Sequence, residues 1–180
     1  MRFEKDYLLL IYDRRMPCSC QVPVPQYPET ADWGPILWKI LHGLAERAER
    51  CFQPIEEIRE WQKFIKLTGE MLPCDLCRNH FKEYSQQYPL TQMTNLQKGQ
   101  VKPWVKNWFW HLHNEINTGT GKPVFPYDGL ESTYSNVDLT DQLYRLTPIV
   151  RKAIDLHGVP LFKWTAWVSS FKMLRSINCL

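Results

Sequence analysis

Leu72-Pro73-Cys74-Asp75-Leu76-Cys77 is the stretch that decides the fold, because helical periodicity runs up to it and resumes directly after it. Apolar side chains recur at helical spacing on both sides, at Ile58, Trp61, Ile65 and Leu72 before it and at Phe81, Tyr84 and Tyr88 after it. Neither side shows the alternating or β-branched run that a strand needs. The sequence therefore predicts an all-α bundle in which a Cys-x-x-Cys motif opens the third helix, unlike the sheet-borne motif of thioredoxin-like proteins.

Outward from this stretch, the chain divides into three parts. Residues 1–31 form a proline-rich arm, residues 32–135 a four-helix domain, and residues 136–180 a helical C-terminal extension. The first helix is predicted over residues 33–50 with Asp32 as its N-cap, and the fourth begins near Pro103. Residues 123–137 are expected to be irregular, and the first helix of the extension is expected to break near Pro148.

The composition is that of a soluble globular domain. Of 180 residues, 44% are hydrophobic and 23% charged, and the net charge of +3 gives no strong attraction to nucleic acid. The apolar run from Leu8 to Tyr12 is far shorter than the roughly 20 residues of a membrane-spanning helix or the core of a signal peptide. We therefore expect no nucleic-acid partner, no membrane insertion and a cytoplasmic location.

The pair Cys74 and Cys77 is the main candidate for chemistry. Both stand at the predicted start of a helix, where the helix dipole favours a thiolate, and their spacing allows a disulfide within one turn. A thiolate in a reversible disulfide performs thiol–disulfide exchange. The alternative is a zinc site, since His80 completes a Cys-x2-Cys-x2-His ligand set. Cys51 is expected to be a buried or bystander thiol, and Cys179 a shuttle, an intermolecular bridge or a free thiol.

Two further helical stripes carry aromatic, imidazole and amide side chains. Trp38 and His42 are four residues apart on the first helix. The fourth helix carries a stripe made of Trp110, His113, Asn114 and Asn117. Each residue alone is more typical of a core, but together they are suited to hold a planar heteroaromatic ligand.

In three motifs, the sequence resembles the Erv/ALR family of sulfhydryl oxidases. Residues 33–42 (WGPILWKILH) are similar to the family's W-G-x-x-x-W-x-x-L-H motif, and residues 72–77 to its Pro-Cys-x-x-Cys motif. Residues 111–117 (HLHNEIN), followed by residues 121–125 (GKPVF), resemble its H-x-H-N-x-V-N…G-K-P-x-F signature. Three motifs in the family's order, covering residues 33–127, make the resemblance specific.

The resemblance implies a bundle that holds FAD without a covalent bond. It assigns the contacts with the cofactor to Gly34, Trp38, His42, His113, Asn114, Asn117, Lys122 and Phe125. By the same analogy, Cys77 lies next to the isoalloxazine ring and Cys74 receives the substrate thiolate. Electrons would pass from protein dithiols through this disulfide and FAD to O2, giving H2O2, with no metal at the site. Family membership also raises the expectation of a homodimer.

Several features depart from the family pattern. Pro35 stands where many members carry an arginine, so Lys122 or another basic residue would have to face the cofactor's phosphates. The extension has no counterpart in the pattern, which together with the lack of a targeting signal would suit a viral or phage member. Cys18 and Cys20 on the arm are the candidate shuttle pair, with exposed bystander thiols or a metal site as the alternatives.

Two other functions remain open on the sequence alone. One is a zinc-stabilised helical binding module built on the Cys-x-x-Cys motif. The other is an interaction protein that keeps the oxidase fold without turnover and uses the extension as its working surface.

Overall fold

Helices account for the regular structure in the part of the chain that is described. The computed structural model describes residues 26–51 and 54–180, and in these ranges it contains no strand. The helices are α1 (Thr30–Ala45), α2 (Pro54–Met71), α3 (Asp75–Gln87), α4 (Val101–Gly119), α5 (Gly129–Tyr134), α6 (Leu139–Asp155) and α7 (Leu161–Ile177). A 3-10 helix, Leu90–Asn95, connects α3 to α4. The all-α prediction is confirmed for the described residues.

The ends of the helices differ in detail from the sequence-based prediction. Glu29, not Asp32, is the N-cap of α1, and the Asp32 carboxylate accepts a hydrogen bond from the Glu29 N–H at 2.8 Å. Asp32 is thus the third residue of the helix, where an acidic side chain satisfies a free backbone donor. The helix ends at Ala45 instead of residue 50, and Glu49 has a left-handed φ of 64°.

The segment expected to be irregular holds the short helix α5, and Pro148 does not break α6. Pro148 lies inside α6, which runs without interruption from Leu139 to Asp155. Proline removes one backbone donor, but apolar packing along the rest of the helix maintains it. On this side of the bundle Leu146, Val150 and Ala153 are fully buried.

The C-terminal extension shares one core with the other helices. Helix α6 packs along α1, and α7 packs along α2. The indole N–H of Trp167 donates to Thr68 Oγ1 at 2.8 Å, and its ring stacks on Phe64 with centroids 5.3 Å apart. Trp164 and Trp167 are both buried. Residues 136–180 are therefore an integral layer of the bundle.

A second disulfide corrects the expectation for two cysteines. Cys51, which follows α1, is bonded to Cys179, which follows α7, with Cα atoms 6.0 Å apart. The predictions of a buried or bystander thiol at Cys51, and of an intermolecular bridge or a free thiol at Cys179, were wrong. A shuttle role for Cys179 stays a prediction. The two cysteines are 128 residues apart in sequence, so only the packing of α7 along α2 brings them together. Next to this bond, Asn178 accepts a hydrogen bond from the Arg50 N–H.

None of the helices in the described part of the chain combines the length and the apolar character required to span a bilayer.

Candidate active site

A disulfide joins Cys74 and Cys77 at the start of α3, as the motif predicted. Cys74 is the N-cap of α3 in an extended conformation, and its sulfur accepts a hydrogen bond from the Cys77 N–H at 3.1 Å. Pro73 precedes it and cannot continue α2, so the chain turns here into a new helix. Free N–H groups at a helix start stabilise negative charge, which favours a thiolate once this disulfide is reduced.

The Cys74 side of this disulfide faces an open groove. We call it the entrance groove; its volume is about 720 Å³. Its walls are the segment Tyr27–Ala31, the segment Pro73–Leu76, Arg78 and Gly158. Cys77 is not part of this lining. A molecule that arrives from solvent through the groove therefore contacts Cys74 and not Cys77.

The Cys77 side faces a smaller and largely apolar cavity of about 240 Å³. Cys74 is absent from its lining, so each sulfur of the disulfide serves a different space. Four helices contribute to the walls. The main contributors are Trp33, Gly34, Leu37, Trp38 and Leu41 from α1, Thr68 from α2, Leu72, Leu76, Cys77, His80 and Phe81 around α3, and Leu112 and Ile116 from α4.

Trp33, one of the residues that line this cavity, has an unsatisfied donor. The indole N–H of Trp33 is buried without a hydrogen-bond partner. An unpaired buried donor is costly, about 1–3 kcal/mol. The apolar walls of the cavity, which include the aromatic residues Trp33, Trp38 and Phe81, fit a planar ring.

Beside the cavity, an aromatic and imidazole cluster joins α1 to α4. His42 Nε2 and His113 Nδ1 are 3.0 Å apart and share a hydrogen bond. Trp38 stacks on the His113 ring almost in parallel, with centroids 4.1 Å apart, and Tyr134 of α5 stacks on His42. The predicted pairing of the Trp38/His42 face with the α4 stripe is therefore present.

Both histidines of the cluster are neutral at neutral pH. Burial lowers the pKa of His42 to about 3, with the positive charges of His113 and Lys106 as smaller causes. Burial also lowers the pKa of His113 to about 4, with Lys122 as a smaller cause. A neutral imidazole pair needs no counter-ion, so it can hold an uncharged ring by stacking and hydrogen bonding.

The remaining predicted cofactor residues lie at the end of α4 and in the segment after it. The Asn114 amide holds the Phe125 backbone, donating to its carbonyl at 3.0 Å and accepting from its N–H at 2.8 Å. Trp110 also donates to the Phe125 carbonyl, at 2.8 Å. Asn117 is partly exposed and Lys122 is exposed. Asn114 thus positions the chain that carries Phe125.

The structure brings some of the predicted residues together and leaves others apart. Gly34, Trp38 and Cys77 line the apolar cavity, while Asn114, Asn117, Lys122 and Phe125 do not. Cys18 and Cys20 lie outside the described residues. Sequence reasoning assigned Trp33, Leu37 and Leu112 to the core alone and gave no role to Tyr134. Trp33, Leu37 and Leu41 lie at four-residue intervals, and this spacing was the available signal that Trp33 lines the cavity.

The zinc alternative finds no support at the motif. Both cysteine sulfurs are consumed in the disulfide, and His80 Nε2 instead pairs with Glu115 Oε1 at 2.9 Å. Within residues 26–51 and 54–180 no three metal-ligating side chains converge.

The structure is a helical bundle with a Cys-x-x-Cys disulfide between a solvent groove and an apolar cavity, and this arrangement is typical of thiol–disulfide proteins. Within this class, residues 35–135 match the family described as Erv1 / Alr. The match covers more than half of the chain, and the chain belongs to this family.

Individual relatives are similar to this chain at modest identity. The FAD-linked sulfhydryl oxidase ERV1 of Arabidopsis thaliana is 28% identical over 134 residues, which are 72% of this chain and 59% of that protein. The FAD-linked sulfhydryl oxidase of African swine fever virus (isolate Pig/Kenya/KEN-50/1950) is 28% identical over 121 residues, 66% of this chain and 92% of the viral protein.

A third relative is the probable FAD-linked sulfhydryl oxidase R368 of Acanthamoeba polyphaga mimivirus. It is 29% identical over 96 residues, which are 53% of this chain and 63% of that protein. The chain thus spans between half and two thirds of the length of several relatives, including the two plant proteins. No solved structure gives a significant match.

Proposed function

We propose that the protein is an FAD-dependent thiol oxidase that forms disulfides in proteins. The observation that carries this proposal is the position of the Cys74–Cys77 disulfide, with Cys74 in the entrance groove and Cys77 in the apolar cavity. A relay of electrons from a large substrate to a buried acceptor needs this arrangement, because the two partners cannot occupy one space. Membership in the Erv1 / Alr family and the relatives named as FAD-linked sulfhydryl oxidases support it.

The first half of the reaction is thiol–disulfide exchange at Cys74. A substrate thiolate attacks the Cys74 sulfur, the Cys74–Cys77 bond breaks, and Cys77 leaves as a thiolate. The second substrate thiolate then attacks the substrate sulfur of the mixed disulfide and releases Cys74. The substrate gains one disulfide, the motif gains two electrons as a dithiol, and two substrate protons pass to the thiolates or to solvent.

The second half requires an electron acceptor beside Cys77. Bound FAD supplies the chemistry for two-electron transfer from this dithiol to O2, which gives H2O2. The apolar cavity would receive the ring system, with Gly34 and Trp38 in its wall. His42 and His113 would support the cofactor by stacking.

The segment after α4 would hold the more polar parts of the cofactor. The Asn114 amide fixes the backbone of Phe125, so this residue acts by positioning the chain. Asn117 would donate hydrogen bonds to the cofactor. We assign Lys122 as the cation that faces the cofactor's phosphates, because Pro35 replaces the arginine that many family members carry.

The arm supplies a shuttle for bulky substrates in this proposal. Cys20 precedes Tyr27 by seven residues, and Tyr27 lines the entrance groove. Seven extended residues span up to about 25 Å, so Cys18 and Cys20 are close enough in sequence to reach Cys74. They would take electrons from the substrate outside and deliver them to Cys74.

A single preparation tests the proposal. The purified protein should be yellow, with a flavin absorbance spectrum, and should consume O2 and release H2O2 when dithiothreitol is added. A colourless protein that binds zinc would support the binding module instead. A yellow protein that consumes no O2 with a dithiol would support the interaction protein without turnover.

The homodimer expected from the family resemblance is part of the same proposal. Light scattering coupled to size-exclusion chromatography would give the mass in solution directly. A mass close to the 21.5 kDa of one chain over a wide concentration range would contradict it.

A further inference from the structure

One side chain joins the redox motif to the extension. Arg78, in the first turn of α3, lines the entrance groove together with Cys74. Its Nη1 donates to the Leu72 carbonyl and, at 3.2 Å, to the Gly158 carbonyl, while its Nη2 forms an ion pair with the Asp75 carboxylate. A guanidinium carries five donors in one rigid plane, so a single side chain can hold three separate acceptors.

These contacts bracket Cys74 along the chain. Leu72 precedes Cys74 by two residues, and Asp75 follows it directly. The backbone N–H of Arg78 also donates to the Cys74 carbonyl at 2.9 Å, which closes the first turn of α3. The position of Cys74 therefore depends on both the backbone and the side chain of Arg78.

The acceptor in the extension lies in a well-defined turn. Gly158 is between α6 and α7, outside the residues that match the family. Its N–H donates to the Ala153 carbonyl, and the His157 N–H donates to the Ile154 carbonyl, both at 2.9 Å. His157 has a left-handed φ of 60°. This is the Schellman ending of a helix, which gives the chain after α6 a defined path.

Two further contacts hold this turn beside the motif. Lys163, in the first turn of α7, forms an ion pair with Glu70 near the end of α2. The Tyr27 ring packs so closely on Gly158 that it leaves no room for a Cβ there. The contact of Arg78 with the extension thus ends on a fixed part of the bundle.

The charge of Arg78 is balanced within the motif. A cation beside a reduced cysteine pair favours the thiolate. The Asp75 carboxylate pairs with the guanidinium, so the two together offer little net charge to a nearby sulfur. The geometry of the three contacts is therefore the stronger candidate for what Arg78 contributes.

We propose that Arg78 is a positioning residue for thiol–disulfide exchange, and that its three contacts keep Cys74 within bonding reach of Cys77 while the disulfide is open. The proposal rests on the exchange step of the function proposed above. Because one of the three acceptors is Gly158, the extension takes part in setting the redox equilibrium of a motif that lies in the family's own helices.

The direction of the effect follows from conformational entropy. In the disulfide form the S–S bond already orders the turn from Cys74 to Cys77, so the Arg78 contacts form at little further cost. In the dithiol form these contacts must order the turn without the bond. The bond and the contacts therefore reinforce each other, and loss of the contacts weakens the disulfide relative to the dithiol. A charge effect has the opposite sign, because removal of a cation disfavours the thiolate and so favours the disulfide.

The test is the equilibrium of the holoprotein with glutathione in the absence of O2. Two glutathione thiols reduce the Cys74–Cys77 disulfide to the dithiol, their two protons pass to the cysteines or to solvent, and one glutathione disulfide forms. Alkylation with iodoacetamide, followed by mass spectrometry of the peptide that carries the motif, gives the ratio of the two forms.

Arg78→Lys keeps the charge but cannot hold three acceptors. Its equilibrium constant for disulfide formation should be about 5–10-fold lower than in the wild type, which corresponds to a reduction potential about 20–30 mV higher. Arg78→Gln should show a decrease at least as large. An unchanged constant in Arg78→Lys, or an increase in Arg78→Gln, would overturn the proposal, and the second result would assign the effect of Arg78 to its charge.

The reduction potential also separates positioning from a purely structural role. A residue that stabilises the oxidised and the reduced protein equally changes the melting temperature and leaves the potential unchanged. The matched control is Lys82→Gln, which removes one positive charge from an exposed position one turn further along α3. It should keep the wild-type constant, and a decrease as large as that of Arg78→Lys would contradict the proposal.

This equilibrium requires no consumption of O2, so it can fail or succeed independently of the proposed function. If the wild type consumes no O2 with dithiothreitol but Arg78→Lys shows the expected decrease, the oxidase function fails and the role of Arg78 stands. If the wild type consumes O2 and the constant of Arg78→Lys is unchanged, the oxidase function stands and the role of Arg78 is wrong.

Discussion

The two disulfides of this protein have the same covalent bond and opposite surroundings. Cys74–Cys77 closes one turn at the start of α3, is half-buried, and separates the entrance groove from the apolar cavity. Cys51–Cys179 joins the end of the first helix to the end of the last, and both of its cysteines are exposed.

The difference shows that position, more than cysteine chemistry, decides what a disulfide does. A bond over three residues restricts the unfolded chain little, whereas a bond over 128 residues restricts it strongly. Conversely, only the short bond has a helix N-terminus, an approach from solvent and an apolar space for an acceptor. We therefore expect the short bond to matter for turnover and the long bond for stability.

The largest expected effect comes from breaking the short bond. Cys74→Ser and Cys77→Ser should each reduce O2 consumption with dithiothreitol by at least about 100-fold, because exchange requires both sulfurs. Bound flavin, measured by absorbance, should remain, because in the proposed site packing and the histidine cluster, not the cysteines, would hold the cofactor. Only Cys74→Ser leaves a free Cys77 thiolate at the cavity, so only it should gain a long-wavelength charge-transfer absorbance. Wild-type turnover in either variant would refute the roles of these cysteines.

Breaking the long bond should lower stability and leave turnover nearly unchanged. The double variant Cys51→Ser/Cys179→Ser should lose about 2–4 kcal/mol of unfolding free energy, since a long loop is no longer closed in the unfolded chain. Urea denaturation of the oxidised protein measures this loss. Dithiothreitol oxidation should stay within about twofold of wild type at 25 °C. A large loss of turnover in the folded variant would show that Cys179 belongs to the redox chemistry.

A smaller effect is expected on the cofactor side of the short bond. His113→Ala and Asn117→Ala should each weaken FAD binding by about 1–3 kcal/mol, or roughly 5- to 150-fold, through loss of one polar contact. Flavin released on dialysis measures the affinity. His111→Ala is the control, because His111 is exposed on the same helix. Full occupancy in both variants would return these residues to a structural role.

The last prediction concerns the pH dependence of stability and involves the smallest change of activity at neutral pH. The pKa values of His42 and His113, about 3 and about 4, lie below the usual 6.5. Between pH 6.5 and 4 the unfolded chain therefore binds more protons than the folded one, and stability is full above pH 6.5 and falls as the pH decreases. The melting temperature should drop by several degrees over this window, and by less in His42→Gln. An equal drop in the variant would show that other groups cause it.

The sequence predicted the features that depend on the spacing of residues close together in the chain. The helical stripes around Leu72 and Cys77 anticipated α1 to α4 and the short disulfide, because these features depend on residues within a few turns of each other. The pairing of Cys51 with Cys179 could not be found in this way, since it depends on how α7 lies on α2. The same holds for the unsatisfied Trp33 N–H and for the low pKa values of the histidines, which arise from burial by distant elements.

The packing of α6 on α1 and of α7 on α2 has a consequence for where this protein can be divided. Residues 35–135 carry the family's pattern, but Trp167, Phe171 and Val150 are buried on helices beyond that range. A chain cut after residue 135 would present the apolar partners of these residues, such as Phe64, to water. We expect such a fragment to aggregate or to be degraded, so the boundary of the inherited motif is not the boundary of a unit that folds alone.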